Sequence, residues 1–368
     1  MRALGITLSG YFGCGNLGDD LLLLAAVENL RLLSPGTIFF VRDHGQFRGD
    51  LGKDVIFTGI ETILTNGVSS RPRRIVLYLI AIASTLRKSG WLVFAGGTVF
   101  HDFDGGRSLV VQTLTCLVAR ALGVRIAAIG VGIGDMRSLP SRVLLTVIER
   151  CCALFLVRDQ ASFNRSSRAE LTEDLVFSLA DQFRHGRAEA SSRKLAVTVY
   201  PPACSPAKLA AMSAALREAE QTGFEIVFFV FHETTLMADD LSIINRLSAM
   251  THGRTEIRRL RADPEDIARA FADISIVFGM RLHSLVIAAM LCLPFVGLAH
   301  ATKIRELCRR FDAPCVDDPT QLMGALISIS RTEVAHKLRE RTLRAKIDST
   351  RNFERLSTLS SQSASEVS

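Results

Sequence analysis

Aromatic residues are scarce, at 7% of 368 residues, and no run of lysine and arginine is interleaved with exposed aromatics. Binders of single-stranded nucleic acid need stacking platforms along a basic groove, so no nucleic-acid partner is expected. Long apolar runs are missing too. The longest candidate, Ile75 to Leu86, falls short of the roughly 18 residues that a membrane-spanning helix requires. Met1 to Gly10 leads straight into a glycine-rich turn and offers no signal-peptide core. The eight cysteines, from Cys14 to Cys315, include no Cys-x-x-Cys and no Cys/His cluster with zinc spacing, so no metal is expected. They read as reduced thiols of a cytoplasmic protein. Internal repeats are lacking as well, and the only low-complexity segment is the serine-rich stretch from Ser357 to Ser368.

What is present is ample apolar content, 48% against 22% charged, enough for two domains with separate cores. A net charge of +7 points to an acidic partner: a phosphorylated substrate or an anionic membrane surface. Apolar runs of strand length alternate with segments of helical period, the pattern of parallel α/β layers. Strands are expected at Leu4 to Leu8, Thr37 to Val41, Val55 to Phe57, Leu92 to Ala95, Arg125 to Ile129 and Leu154 to Val157. A second series is expected at Leu195 to Tyr200, Glu225 to Phe231, Thr255 to Arg258, Ile274 to Phe278 and Pro294 to Leu298. This predicts an N-terminal α/β domain over 1–183, a polar linker over 184–193 and a C-terminal α/β domain over 194–330. A C-terminal helix over 331–356 and a disordered tail over 357–368 complete the reading. The expected fold class is two Rossmann-like domains facing each other across a cleft.

The most telling stretch is Phe278-Gly279-Met280-Arg281-Leu282-His283-Ser284, where a short buried strand gives way to an apolar helix. The unpaired N–H groups of such a helix start favour a phosphate or carboxylate. Arg281 adds a planar, permanently charged fork, and His283 a group that exchanges protons near neutral pH. Taken alone, the same residues also fit an Arg281–carboxylate ion pair and a helix-capping His283.

Three more loops stand where strands should end. Ser9 to Asp20 is rich in glycine, with Gly15 allowing close backbone approach and Asn16, Asp19 and Asp20 at a helix start. It is not a P-loop, because no Lys-Ser/Thr follows. Gly96-Gly97-Thr98 precedes His101 and Asp102, and Arg158-Asp159 offers an anion contact beside a helix cap.

These loops, in this order, together with Gly130-Val131-Gly132-Ile133-Gly134 and Ala180-Asp181, resemble the polysaccharide pyruvyl transferase family over Leu4 to about Arg310. The family joins pyruvate from phosphoenolpyruvate to a sugar hydroxyl pair as a ketal. The resemblance implies a fold similar to the GT-B glycosyltransferases and no metal or organic cofactor. Two positions depart from the family pattern: Thr98 stands where a third glycine is usual, and His300-Ala301 where a Tyr-Asp pair is common.

On that reading Arg281, Arg158 and Lys303 hold the donor anion, helped by Asn16, Gly15 and Ser284. His283 is the general acid, and Asp19 the base that takes the acceptor proton. His101 and His232 are structural or line the acceptor. The expected partners are phosphoenolpyruvate and a saccharide acceptor, free or lipid-linked. Basic residues flanking Ile75 to Leu86 add an expected peripheral contact with the inner face of the cytoplasmic membrane. The rival class is a nucleotide-sugar glycosyltransferase of the same shape, for which His300, Lys303 and Glu306 offer ligand contacts. Oligomeric state is not encoded in these motifs.

Overall fold

A computed structural model describes residues 5–365 except 46, 48, 66–70, 184–192, 235–238, 254 and 330. The chain divides into two compact units. Unit 1 comprises Met1–Cys14, Asp19–Ser178 and Ile347–Ser368, and unit 2 comprises Gly15–Gly18 and Leu179–Lys346.

Unit 1 runs β1 (Gly5–Phe12), α1 (Leu17–Leu33), β2 (Phe39–Asp43), β3 (Val55–Phe57), α2 (Ile60–Thr65), α3 (Arg71–Leu86), β4 (Ser89–Ala95), α4 (Arg107–Ala121), β5 (Arg125–Val131), α5 (Leu139–Cys151), β6 (Leu154–Val157), α6 (Gln160–Phe163) and β7 (Glu170–Leu171). Its strands form one parallel sheet in the order β3-β2-β1-β4-β5-β6-β7. β2 and β6 are buried along their whole length, and β4 everywhere but at Gly90, as befits strands covered by helices on both faces. One core joins Leu92, Phe94, Ile126 and Phe155 of the sheet to the inner sides of α3, α4 and α5. Ser138 and Asp159 cap α5 and α6, accepting from the backbone N–H of Ser141 and Ser162.

Unit 2 runs β8 (Lys194–Thr198), α7 (Pro206–Gln221), β9 (Glu225–Val230), α8 (Asp240–Ser248), β10 (Glu256–Arg259), α9 (Pro264–Ala270), β11 (Ile276–Gly279), α10 (Leu282–Met290), β12 (Phe295–Leu298), α11 (Thr302–Phe311), β13 (Cys315–Val316) and α12 (Leu322–Ser328). The parallel order is β10-β9-β8-β11-β12-β13. Its core gathers Val197, Phe228, Phe278, Val296 and Leu298 with Leu209 and Leu216 of α7. Each sheet therefore reverses its winding once, between β1 and β4 in unit 1 and between β8 and β11 in unit 2. At such a point the loops leaving adjacent strands turn to opposite faces and open a crevice at the carboxyl ends.

A last helix, α13 (Arg331–Ser365), contributes to unit 2 up to Lys346 and to unit 1 from Ile347. In unit 1 its Asn352 side chain donates to the Glu173 carbonyl at 3.1 Å and accepts from Thr172 Oγ1 at 2.9 Å. The helix continues through most of the segment expected to be a disordered tail. Ser and Thr hydroxyls there turn back onto the preceding helical turn, as Ser360 does onto Leu356 at 3.0 Å, so the serine-rich composition is accommodated within the helix. The division between units falls at Ser178/Leu179, ahead of the expected linker, whose residues 184–192 lie outside the described set. Among the described residues no helix is long and apolar enough to cross a membrane.

Candidate functional site

In unit 2 the reversal point lies beside Gly279, which is in register with Thr198 of β8. A side chain at Gly279 would come within 2.6 Å of Leu285 and 2.7 Å of Ser284 Oγ, so glycine is required for the turn into α10. The Ser284 hydroxyl donates to the Arg281 carbonyl at 2.7 Å and lies 2.8 Å from Thr198 Oγ1. Ser284 is wholly buried. With its one donor spent on Arg281 and an acceptor position facing Thr198, it holds the turn.

Arg281 is the N-cap residue of α10 and caps nothing with its own side chain. Its Nε donates to the Val199 carbonyl at 2.9 Å, its Nη2 pairs with Asp240, and its guanidinium carbon lies 5.0 Å from the Tyr200 ring centre. Asp240 is fully buried and accepts from the N–H groups of Phe231 and His232 at 3.0 and 2.9 Å. Burial pushes its carboxyl upward, while Arg281 and those N–H donors oppose the shift. The carboxylate-paired reading of Arg281 is thus realised. Its side chain keeps 11% exposure.

His283, nearly buried, occupies the first turn of α10. Gly15–Gly18, which belong to unit 2, lie beside it. Leu17 N–H donates to the Phe231 carbonyl at 2.8 Å, Glu233 N–H to the Gly15 carbonyl at 3.0 Å, and Asn16 forms a bridge with His232. Asn16 Oδ1 accepts from Gly18 N–H at 3.2 Å. A methyl group at Gly18 would overlap the His283 ring at Nδ1, so this glycine leaves the imidazole its place. Two motifs from distant parts of the sequence, the glycine-rich loop and Arg281-x-His283, thereby come together.

His300 follows β12 and stacks on Tyr200 with ring centres 4.5 Å apart. Burial, then Lys303, with Arg281 and Lys208 adding, lowers its pKa to about 4. Lys208 and Lys303 stand in the first turns of α7 and α11, as Arg281 stands at the start of α10. None of these three helices has an acidic residue in its first turn. Cations placed at the positive ends of helix dipoles repel one another, and an added anion relieves that repulsion.

In unit 1 the corresponding loops follow β1 and β4. Gly96 and Gly97 adopt φ of 64° and 72°, the left-handed region that favours glycine. Asp19, half-buried in the first turn of α1, has Oδ1 3.4 Å from where a Gly97 Cβ would stand. Asp20 takes the tethering role, accepting from Gly13 N–H at 3.0 Å. Tyr11 Oη lies 2.5 Å from His101 Nε2, and burial pushes the phenol up to about 12. Arg158 differs from expectation. It is 4% exposed, donates to Asp174 at 2.7 Å and to Thr98 Oγ1 at 3.3 Å, and lies 3.8 Å from Asp159. Paired with the buried Asp174 and close to the half-buried Asp159, it braces these loops.

Arg281, His283, Lys303, Asn16 and Gly15, singled out by their motifs, all fall in unit 2, together with Asp240, Tyr200 and Lys208, which no motif marks. Asp240 reads as an ordinary helix start after Asp239, and Tyr200-Pro201-Pro202 as a plain strand end. The strand order brings Asp240 and Tyr200 beside Arg281, and Lys208 near His300.

The profile of the family described as polysaccharide pyruvyl transferase matches residues 16–302. No curated protein matches the chain in sequence. Among solved structures, UDP-GlcNAc 2-epimerase from Methanocaldococcus jannaschii superposes with a TM-score of 0.60 at 11% identity, covering 90% of this chain and 94% of that one. The Neisseria meningitidis enzyme bound to UDP-GlcNAc gives 0.60 at 10%, covering 97% and 99%. Anabaena HepE in complex with UDP-glucose gives 0.59 at 12%, covering 98% and 99%. These likenesses establish a fold of two Rossmann-like α/β units akin to the GT-B-like epimerases. With 16–302 matched, the chain belongs to the polysaccharide pyruvyl transferase family.

Proposed function

We propose that this transferase moves pyruvate from phosphoenolpyruvate onto a pair of saccharide hydroxyls, forming a ketal and releasing phosphate. The observation that carries the reading is the cationic reversal point of unit 2, where Arg281, Lys208 and Lys303 meet three helix starts without an acidic residue in their first turns. Phosphoenolpyruvate brings a phosphate and a carboxylate, and such a set suits both.

In the reaction one acceptor oxygen attacks C2 of the donor, while C3 takes a proton and becomes a methyl group. The C2–O bond to phosphate breaks, and the second acceptor oxygen closes the ketal. Two hydroxyl protons leave the acceptor; one balances C3 and the other leaves with phosphate. His283 is the proposed donor to C3. Asp19 is the proposed base. Gly15 and Asn16 supply close backbone and amide contacts to the donor beside His283.

The test is a thermal-shift titration of the full chain with phosphoenolpyruvate, UDP and GDP, followed by phosphate release with a panel of free and lipid-linked saccharides. A ligand at 100 times its Kd adds about 2.7 kcal/mol of stability. A shift with phosphoenolpyruvate alone, and acceptor-dependent phosphate release, are expected. A shift with UDP or GDP alone would favour a nucleotide-sugar glycosyltransferase, the reading suggested by structural neighbours bound to UDP-GlcNAc and UDP-glucose.

A further inference from the structure

In unit 1, α3 packs on α4 and α4 on α5, and their inner sides share one core. Their outer sides are unusual for a solvent-facing layer. On α3, Val76, Leu77 and Ile80 are exposed, Ile80 by 62%. α4 presents Val110 and Leu117, and α5 presents Leu139, exposed by 73%, and Val143. Ile80 follows Leu77 by three positions and Val76 by four, Leu117 follows Val110 by seven and Val143 follows Leu139 by four, so each helix carries apolar residues along one outward side.

Cations frame the stripes. Arg73 and Arg87 bracket that of α3, Arg107 and Arg120 that of α4, and Arg142 and Arg150 lie on α5, all exposed. α3 and α4 contain no aspartate or glutamate, and the one carboxylate of α5, Glu149, is buried. The nearest exposed acid before α4 is Asp104, in the preceding turn.

We propose that the outer surface of the α3–α4–α5 layer rests on an anionic lipid bilayer, its apolar stripes entering the interface and its arginines meeting the headgroups. A bilayer supplies both halves of what this surface lacks, an apolar medium and negative charge. A second copy of the chain would set arginine against arginine across an isologous interface. Nucleic acid would satisfy the charge and leave the stripes wet. The inference does not depend on the donor or the reaction, since it concerns binding alone.

The test uses the full chain and sedimenting vesicles of phosphatidylglycerol and phosphatidylcholine in equal parts, against phosphatidylcholine alone. Binding is expected to the mixed vesicles at low salt and to weaken as the screening length falls from about 30 Å at 0.01 M to about 10 Å at 0.1 M. Ile80→Asp with Leu117→Asp should reduce partitioning by about tenfold or more, with an unchanged thermal melt. Arg73→Glu, which alters no buried contact, should reduce it by about fivefold or more. No binding at low salt would overturn the proposal, as would variants that bind like the parent. Sedimentation equilibrium showing a dimer that Ile80→Asp dissociates would assign the face to a second copy instead.

Discussion

The two sheets reverse at equivalent places, yet the loops gathered there differ in charge. Around β8 and β11, Lys208, Arg281 and Lys303 stand at helix starts, with Asp240 as the buried counter-charge of Arg281. Around β1 and β4 the loops are built from Gly96 and Gly97, with Asp19 nearby and Arg158 matched by Asp174. One topology thus supports two kinds of surface. An arginine's residue type does not say which kind it serves: among the described residues Arg281 pairs with Asp240 alone, whereas Arg158 faces both Asp174 and Asp159.

Removing each arginine tests that contrast most severely. Arg281→Ala leaves Asp240 buried and uncompensated, and Arg158→Ala does the same to Asp174. Either should cost about 3–5 kcal/mol in a denaturation midpoint experiment. The two should part in ligand response: the residual fold of Arg158→Ala keeps its thermal shift with phosphoenolpyruvate, and Arg281→Ala loses it. Adding Asp240→Asn to Arg281→Ala should return most of the stability and none of the binding, which a calorimetric titration would separate.

Within unit 2, His283→Gln should retain donor affinity and lose turnover by about two to four orders of magnitude, measured as phosphate release with a verified acceptor. Full turnover in that variant would remove His283 from the chemistry. Gly18→Ala drives a methyl group into the His283 ring, and turnover should fall by about tenfold or more as the imidazole leaves its place. The matching change in unit 1, Gly97→Ala, strains a left-handed residue and should lower stability by about 1 kcal/mol without displacing a histidine.

The smallest effect is a pH dependence. His300 is held at about 4 against an ordinary value near 6.5, so the unfolded chain binds a proton that the folded chain refuses. Its contribution to stability is present above about pH 6.5 and lost as pH falls toward 4. His300→Phe should flatten the melting temperature across that window. Because solvent still reaches the ring, the change should be modest. Phosphoenolpyruvate, by offsetting the neighbouring cations, should narrow the loss in the parent protein.

The strands of both sheets were legible because buried parallel strands read as continuous apolar runs, such as Trp91 to Ala95 and Phe295 to Leu298. β7 and β13 were not, since two residues carry no periodicity. Arg281 and His283 could be singled out from a strand-to-helix junction, a local signal. The partners of Arg158 and Ser284 could not, because Asp174 lies past an intervening helix and strand and Thr198 is 86 residues away from Ser284.

α13 also sets an order of events during synthesis. Unit 1 includes Ile347 onward, and the buried carbonyls of Glu173 and Leu175 receive hydrogen bonds from Asn352 and Ser349. A ribosome that has released β1 through β7 has therefore not yet supplied those donors. The first unit to emerge is the last to be completed. Nascent chains halted after β13 should hold a protease-sensitive 172–178 segment that closes only on release of the final helix, and slow closure is the step at which a chaperone would be met.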